Sequence, residues 1–222
     1  MSTCHHRPAF VAFLAALALS LAFGPGAPLA AQGTRVRGTV TVPDPGVTGV
    51  VVYLVPVGAA FPAVPPASTQ IDQRDLQFVP RVVAVSPGSS VVFPNSDAVM
   101  HNVFHPGKRL TGFDLGTYPE REARSFTFAE EGAYLILCHV HPEMAGYVVV
   151  VASPYRTVTD DDGGFQLDGV APGLYSVRTW HRRLKSHEQV VTVGAEASAR
   201  VAITLTLGAP SEPRALPRTD RP

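Results

Sequence analysis

Two cysteines among 222 residues exclude a fold built on a disulfide framework. One of them, Cys4, lies in an amino-terminal stretch that reads as a cleaved secretory signal, residues 1–31. There Arg7 precedes the apolar run Phe10–Phe23, and Pro25, Gly26 and Pro28 break the run before the small residues Ala30 and Ala31. Cleavage leaves Cys138 alone, so a disulfide within the mature chain is impossible. A periplasmic or secreted location follows, and in an oxidising compartment a lone thiol is a liability unless something such as a metal occupies it. Long apolar runs are otherwise missing, and the signal's own run is short for a bilayer. No membrane span is expected after cleavage.

Charge of one sign is missing as well. The whole chain has 18 Lys and Arg against 18 Asp and Glu, and removing Arg7 leaves 18 − 1 = 17 against 18. Such a balance carries no footprint for nucleic acid. A helical period is also absent. Val, Thr, Phe and Tyr, punctuated by 19 Gly and 21 Pro, predict an all-β chain.

Taken in order, Arg35–Val42 and Gly49–Val57 read as a strand pair joined by the turn Pro43-Asp44-Pro45-Gly46. The Pro-rich segment Gly58–Ser68 reads as a boundary. Short strands are then predicted over Ile71–Phe78, Arg81–Ser86, Ser89–Pro94, Ala98–Phe104 and Ser125–Phe128. Gly132–Cys138 and Gly146–Val151 are nearly continuous apolar runs suited to central strands. Beyond Ser153-Pro154 the strand and turn signals resume up to Arg200–Leu207. The acidic turn Asp160-Asp161-Asp162-Gly163-Gly164 lacks the spacing and closing Glu of an EF-hand, so a hairpin turn is expected there. The Pro-rich tail 208–222 is expected to be disordered.

The chemistry concentrates between the two apolar runs, in Cys138-His139-Val140-His141-Pro142-Glu143-Met144. Cys138, His141 and Met144 offer a thiolate, an imidazole and a thioether, a soft mixed set that points to copper. His101 is the best candidate for a fourth ligand. Met is a poor zinc ligand and no carboxylate-and-water arrangement is evident, which disfavours zinc hydrolysis. A His three residues after the Cys, beside a Met, fits a metal loop better than a cysteine protease. His105 and His139 match no ligand position and read as surface residues or as supports behind the ligands, and His181 and His187 read as surface residues.

The order Phe93-Pro94-Asn95-Ser96-Asp97, His101-Asn102-Val103 and Cys138-x-x-His141-x-x-Met144 resembles the cupredoxin (blue copper) family, in its amicyanin/plastocyanin branch. That resemblance implies a Greek-key β-sandwich over residues 68–153 holding one type 1 copper. His101, Cys138 and His141 would bind in a plane, with Met144 as the long axial ligand. The Asn102 backbone would donate toward the Cys138 sulfur. Segments from Thr159 through Val177 are similar to carboxypeptidase regulatory-like domains, small transthyretin-type sandwiches. That family's opening strands match Gly38-Thr39-Val40-Thr41 and Gly49–Val57, before the copper domain. The expected architecture is therefore a second sandwich, 34–57 and 154–207, split around the cupredoxin; two domains in series is the alternative.

These readings imply an exported carrier of single electrons between a redox-protein donor and acceptor, with no catalysis of its own. Two alternatives stay open at this point: periplasmic copper storage or delivery, and a copper-free cupredoxin-like interaction module.

Overall fold

Every regular element among the described residues is a strand, as the composition predicts. The computed structural model describes Met1 and residues 33–44, 47–61, 63–107, 112–195, 198–204 and 206. Apart from Met1, the expected signal lies outside the described residues, as does the expected tail.

Two strands precede the copper-loop region, β1 (Thr34–Thr41) and β2 (Val51–Pro56). Ten short strands follow. The first five are β3 (Ser68–Gln70), β4 (Asp72–Arg74), β5 (Gln77–Val79), β6 (Val82–Val85) and β7 (Ser89–Pro94). The next five are β8 (His101–His105), β9 (Phe113–Tyr118), β10 (Ala123–Phe128), β11 (Gly132–Leu137) and β12 (Ala145–Val150). The chain finishes with β13 (Arg156–Val158), β14 (Gly164–Val170), β15 (Gly173–Trp180), β16 (Glu188–Val193) and β17 (Ser198–Thr204).

Strands β3, β7 and β10 form one sheet, and β6-β12-β11-β8-β9 form the sheet facing it. Between them lies a core that includes Phe78, Phe93, Val103, Phe128, Ile136 and Val148. The second sandwich draws on both ends of the described chain. Its sheets are β14-β1-β17 and β13-β2-β15-β16, closed over Val36, Val52, Leu54, Leu167, Val177 and Ile203.

β1 and β2 do not form the hairpin expected from the sequence. β1 pairs with β14 and β17, while β2 pairs with β13 and β15 in the opposite sheet. The physical reason is the burial pattern of β2, whose Val51–Val55 are all buried. Val52 and Leu54 point into the second sandwich's own core, and Val51, Tyr53 and Val55 point the other way. A hairpin on a single sheet edge could not cover both faces of such a strand.

The other face of β2 meets β12, which is built on the same plan. Val148 and Val150 enter the copper-side core, whereas Val149 and Val151 join Val51, Tyr53, Val55 and Trp180 in a third apolar cluster. The two sandwiches therefore share a packed core, where a flexible spacer would have left polar faces. Their crossings also lie together. Leu54 N–H donates to Tyr155 O at 3.0 Å, and Ser153 Oγ donates to Leu54 O at 2.7 Å.

The expected single strand Ile71–Phe78 is instead the hairpin β4–β5, turned at Asp75 and Leu76. Both have positive φ, 56° and 57°, a conformation that L-residues adopt at a cost. The Asp97 carboxylate offsets that cost by accepting from both backbone N–H groups, at 2.7 and 3.0 Å. The predicted strand Ala98–Phe104 begins later, at His101, and β9 was not predicted at all.

Candidate metal centre

The copper-loop segment joins two adjacent antiparallel strands. β11 ends at Leu137, which pairs with Ala145 at the start of β12, so residues 138–144 close this hairpin. Leu137 also pairs with Phe104 of β8, which brings His101 and Asn102 alongside the loop. Within the loop, Met144 N–H donates to His141 O at 3.0 Å, folding its second half into a turn.

Three of the predicted ligands converge. Candidate ligand atoms of His101, Cys138 and His141 all lie within 4.8 Å of one another. His101 Nδ1 is 3.0 Å from His141 Nδ1 and 4.0 Å from Cys138 Sγ. His101 is fully buried and Cys138 nearly so, while His141 is half-buried and forms the solvent side of the cluster. Met144 is buried at 1% exposure in the same core cluster as Cys138. Two nitrogens and a sulfur aimed at one point, with a buried thioether on the same loop, suit a soft late transition-metal ion.

The surroundings fix these side chains. His101 Nε2 lies 2.7 Å from Asp97 Oδ2, which leaves Nδ1 to face the cluster. Burial pushes the Asp97 carboxyl up, but the hydrogen bonds from Leu76, His101 and Asp75 outweigh it and hold the group below its usual value. A carboxylate on the far nitrogen of a ligating His orients the ring and raises its basicity.

Asn102 ties the other side together. Its backbone N–H donates to Cys138 Sγ at 3.4 Å, the contact that the resemblance implies. Its side chain donates to Asp114 Oδ1 at 2.7 Å and accepts from His139 N–H at 3.3 Å. The Asp114 carboxyl is held below its usual value, first by the Gly116 N–H. The His139 ring stacks on Phe104 at 3.6 Å and lies 3.4 Å from Asp114, outside the cluster.

Sequence reasoning missed the roles of Asp97, read as part of a turn, and of Asp114, in a segment to which it assigned no element. An acidic residue four positions before a candidate His is the signal that points to Asp97. Two histidines also differ from expectation. His105 is a core residue, with Nδ1 at 2.8 Å from Leu135 O. His181 is buried, its pKa pushed down to about 4 by desolvation and by the nearby Arg182 and Arg183. Its ring nitrogen Nδ1 accepts from the Arg183 N–H at 3.2 Å. Asp160 accepts the Asp162 and Gly164 N–H groups at 3.1 and 2.6 Å, so the acidic turn is closed by its own backbone.

This constellation defines a class. The family model for copper binding proteins of the plastocyanin/azurin family matches residues 66–151, and that for the carboxypeptidase regulatory-like domain matches residues 143–206. Residues 66–151 are therefore similar to the plastocyanin/azurin copper-binding proteins, and the segment that follows to carboxypeptidase regulatory-like domains.

Similar solved structures are amicyanins. Amicyanin from Paracoccus versutus (Thiobacillus versutus) is 27% identical, with 39% of this chain and 84% of that chain covered and a TM-score of 0.36. The reduced state of an amicyanin mutant is 30% identical over 37% of this chain and 81% of that chain, TM-score 0.35. A Cu(I) structure of another amicyanin mutant is 28% identical over 37% and 81%, TM-score 0.36. Comparison with curated proteins gives no match. Among the described residues, no helix is long and apolar enough to cross a membrane.

Proposed function

We propose that this chain is an exported blue copper protein that carries single electrons between redox partners. One type 1 copper would be held by His101, Cys138, His141 and Met144. The observation that carries this reading is the convergence of His101 Nδ1, His141 Nδ1 and Cys138 Sγ beneath the surface. Bound there, copper supplies a one-electron Cu(I)/Cu(II) couple.

The chain's own residues do the rest. The thiolate and thioether suit Cu(I), and the imidazoles serve both oxidation states. Asp97 and the Asn102 N–H hold the His101 ring and the Cys138 sulfur in place, so little needs to move when the charge changes. Val99, Met100 and Val140 flank the ligands in sequence and are 46%, 50% and 45% exposed. We read them as an apolar rim around the half-buried His141, on which a redox partner docks and through which the electron leaves. We assign no catalysis to the chain. Export rests on the amino-terminal pattern over residues 1–31 and on the single thiol left after cleavage.

Voltammetry of the copper-loaded protein tests the proposal. A reversible one-electron wave with fast electron self-exchange is expected. Copper that leaves faster than electrons exchange would make the chain a metal-delivery protein instead.

A further inference from the structure

A cleft of about 740 Å³ opens between the two sandwiches, beside the metal loop but separate from its ligands. Its apolar lining includes Val82 and Tyr147 from the copper side and Val158 and Trp180 from the other. The Tyr147 and Trp180 rings pack at 5.2 Å, tilted by 58°. A site of this size falls within the range typical of small-ligand pockets, roughly 300–1,000 Å³.

The rim is charged in a particular way. The copper-side wall contributes Arg81 and Glu143, and the opposite wall contributes Arg182 and Asp161. Arg81 donates to Gln77 Oε1 at 2.9 Å, a neutral partner. Among the described residues none of the four has an ion-pair partner, whereas the neighbouring Arg183 is paired with Asp44 at 2.7 Å. Exposed charges on an open surface would mean little. Here two of each sign, one of each on each wall, frame an aromatic floor.

From this arrangement we propose that the cleft binds a short zwitterionic peptide with apolar side chains. The peptide's carboxylate takes the Arg182 guanidinium, its ammonium takes the Glu143 carboxylate across the cleft, and its side chains lie on Tyr147 and Trp180. A ligand with one charge leaves either Arg182 or Glu143 without a partner. A single amino acid fills only part of the volume. Planar guanidinium groups favour carboxylates, and aromatic faces favour apolar side chains. Glu143 and Ala145 line the cleft on either side of Met144, so an occupant touches the loop that carries that proposed ligand. The inference does not require copper to be bound and can be tested apart from it.

Trp180 is the only tryptophan in the chain, so its emission reports the cleft directly. The full chain, without added metal, is titrated with the dipeptide leucylphenylalanine, its N-acetyl form and its C-terminal amide. Saturable change in Trp180 emission is expected with the free dipeptide. Each capped form should bind about tenfold more weakly, the loss expected for one charge-assisted contact. Arg182→Gln should reproduce the loss seen with the amide, and Glu143→Gln that seen with the N-acetyl form. Both side chains are exposed, and an unchanged melting temperature will show that the variants fold. No saturable change at millimolar dipeptide, equal binding of either capped form, or indifference to either substitution overturns the proposal.

Discussion

His101 Nδ1 and His141 Nδ1 approach to 3.0 Å although 40 positions separate them in the chain. The approach is a product of the fold: β8 and β11 are paired, and the loop after β11 turns His141 back over His101. Two ring nitrogens at this distance share one proton or share one metal ion. The sulfur of Cys138, 4.0 Å from His101 Nδ1, makes the metal the better occupant.

Removing that sulfur gives the first prediction. Cys138→Ala should abolish the intense thiolate-to-copper absorption while leaving the fold nearly as stable, since only a small buried group is lost. Met144→Gln should keep copper but shift the potential. Absorption and voltammetry of the two variants check this pair. An unchanged spectrum in Cys138→Ala would sink the ligand assignment.

Asp97 has a distinct effect. It orients His101 from the far nitrogen and closes the Asp75–Leu76 turn, so its loss loosens the ligand without deleting it. Asp97→Ala should weaken copper binding by about 10–100-fold, the usual cost of removing a carboxylate behind a ligating His. Competition with a chelator of known affinity measures it.

The shared apolar cluster predicts joint unfolding. Val51, Tyr53, Val149, Val151 and Trp180 come from both sandwiches and pack in one core. Residues 33–204 should therefore melt in a single calorimetric transition. Trp180→Ala should destabilise both sandwiches together, by about 3–5 kcal/mol. Two separate transitions would show that the cluster does not couple them.

Acid should act in two stages. His181 has its pKa lowered from 6.5 to about 4 in the fold, so the unfolded chain takes up its proton first. Its contribution is constant at higher pH, and stability falls as pH drops from about 6.5 to about 4. Asp97 and Asp114 have carboxyls held below 3.8, so the stability they supply is present above that value and lost at lower pH. Denaturant melts of wild type and His181→Gln across the upper window should show a flatter profile for the variant. Identical profiles would remove His181 from the account.

Much of this was legible in the sequence, for physical reasons that differ by element. The loop from Cys138 to Met144 was readable because its ligands are close together and their chemistry is unusual as a set. The runs Gly49–Val57 and Gly146–Val151 were readable as strands because each is buried on both faces, which requires unbroken apolar residues. What each face meets was not readable, and so β1 and β2 were paired with each other when they belong to opposite sheets. The β4–β5 turn was missed because Asp75-Leu76 carries no glycine. Its left-handed backbone is held by a side chain 21 residues away from Leu76. The burial of His181 was not readable either, since nothing in its immediate sequence, between Trp180 and two arginines, distinguishes a buried ring from an exposed one.

Titration of the mature chain with Cu(II), followed by visible absorption and EPR, tests the central claim most directly. The account predicts an intense thiolate-to-copper band that saturates at one equivalent, with narrow copper hyperfine splitting. A pale spectrum with ordinary wide splitting would mean that His101, Cys138, His141 and Met144 do not act together on one copper ion, and the electron-carrier reading would fall.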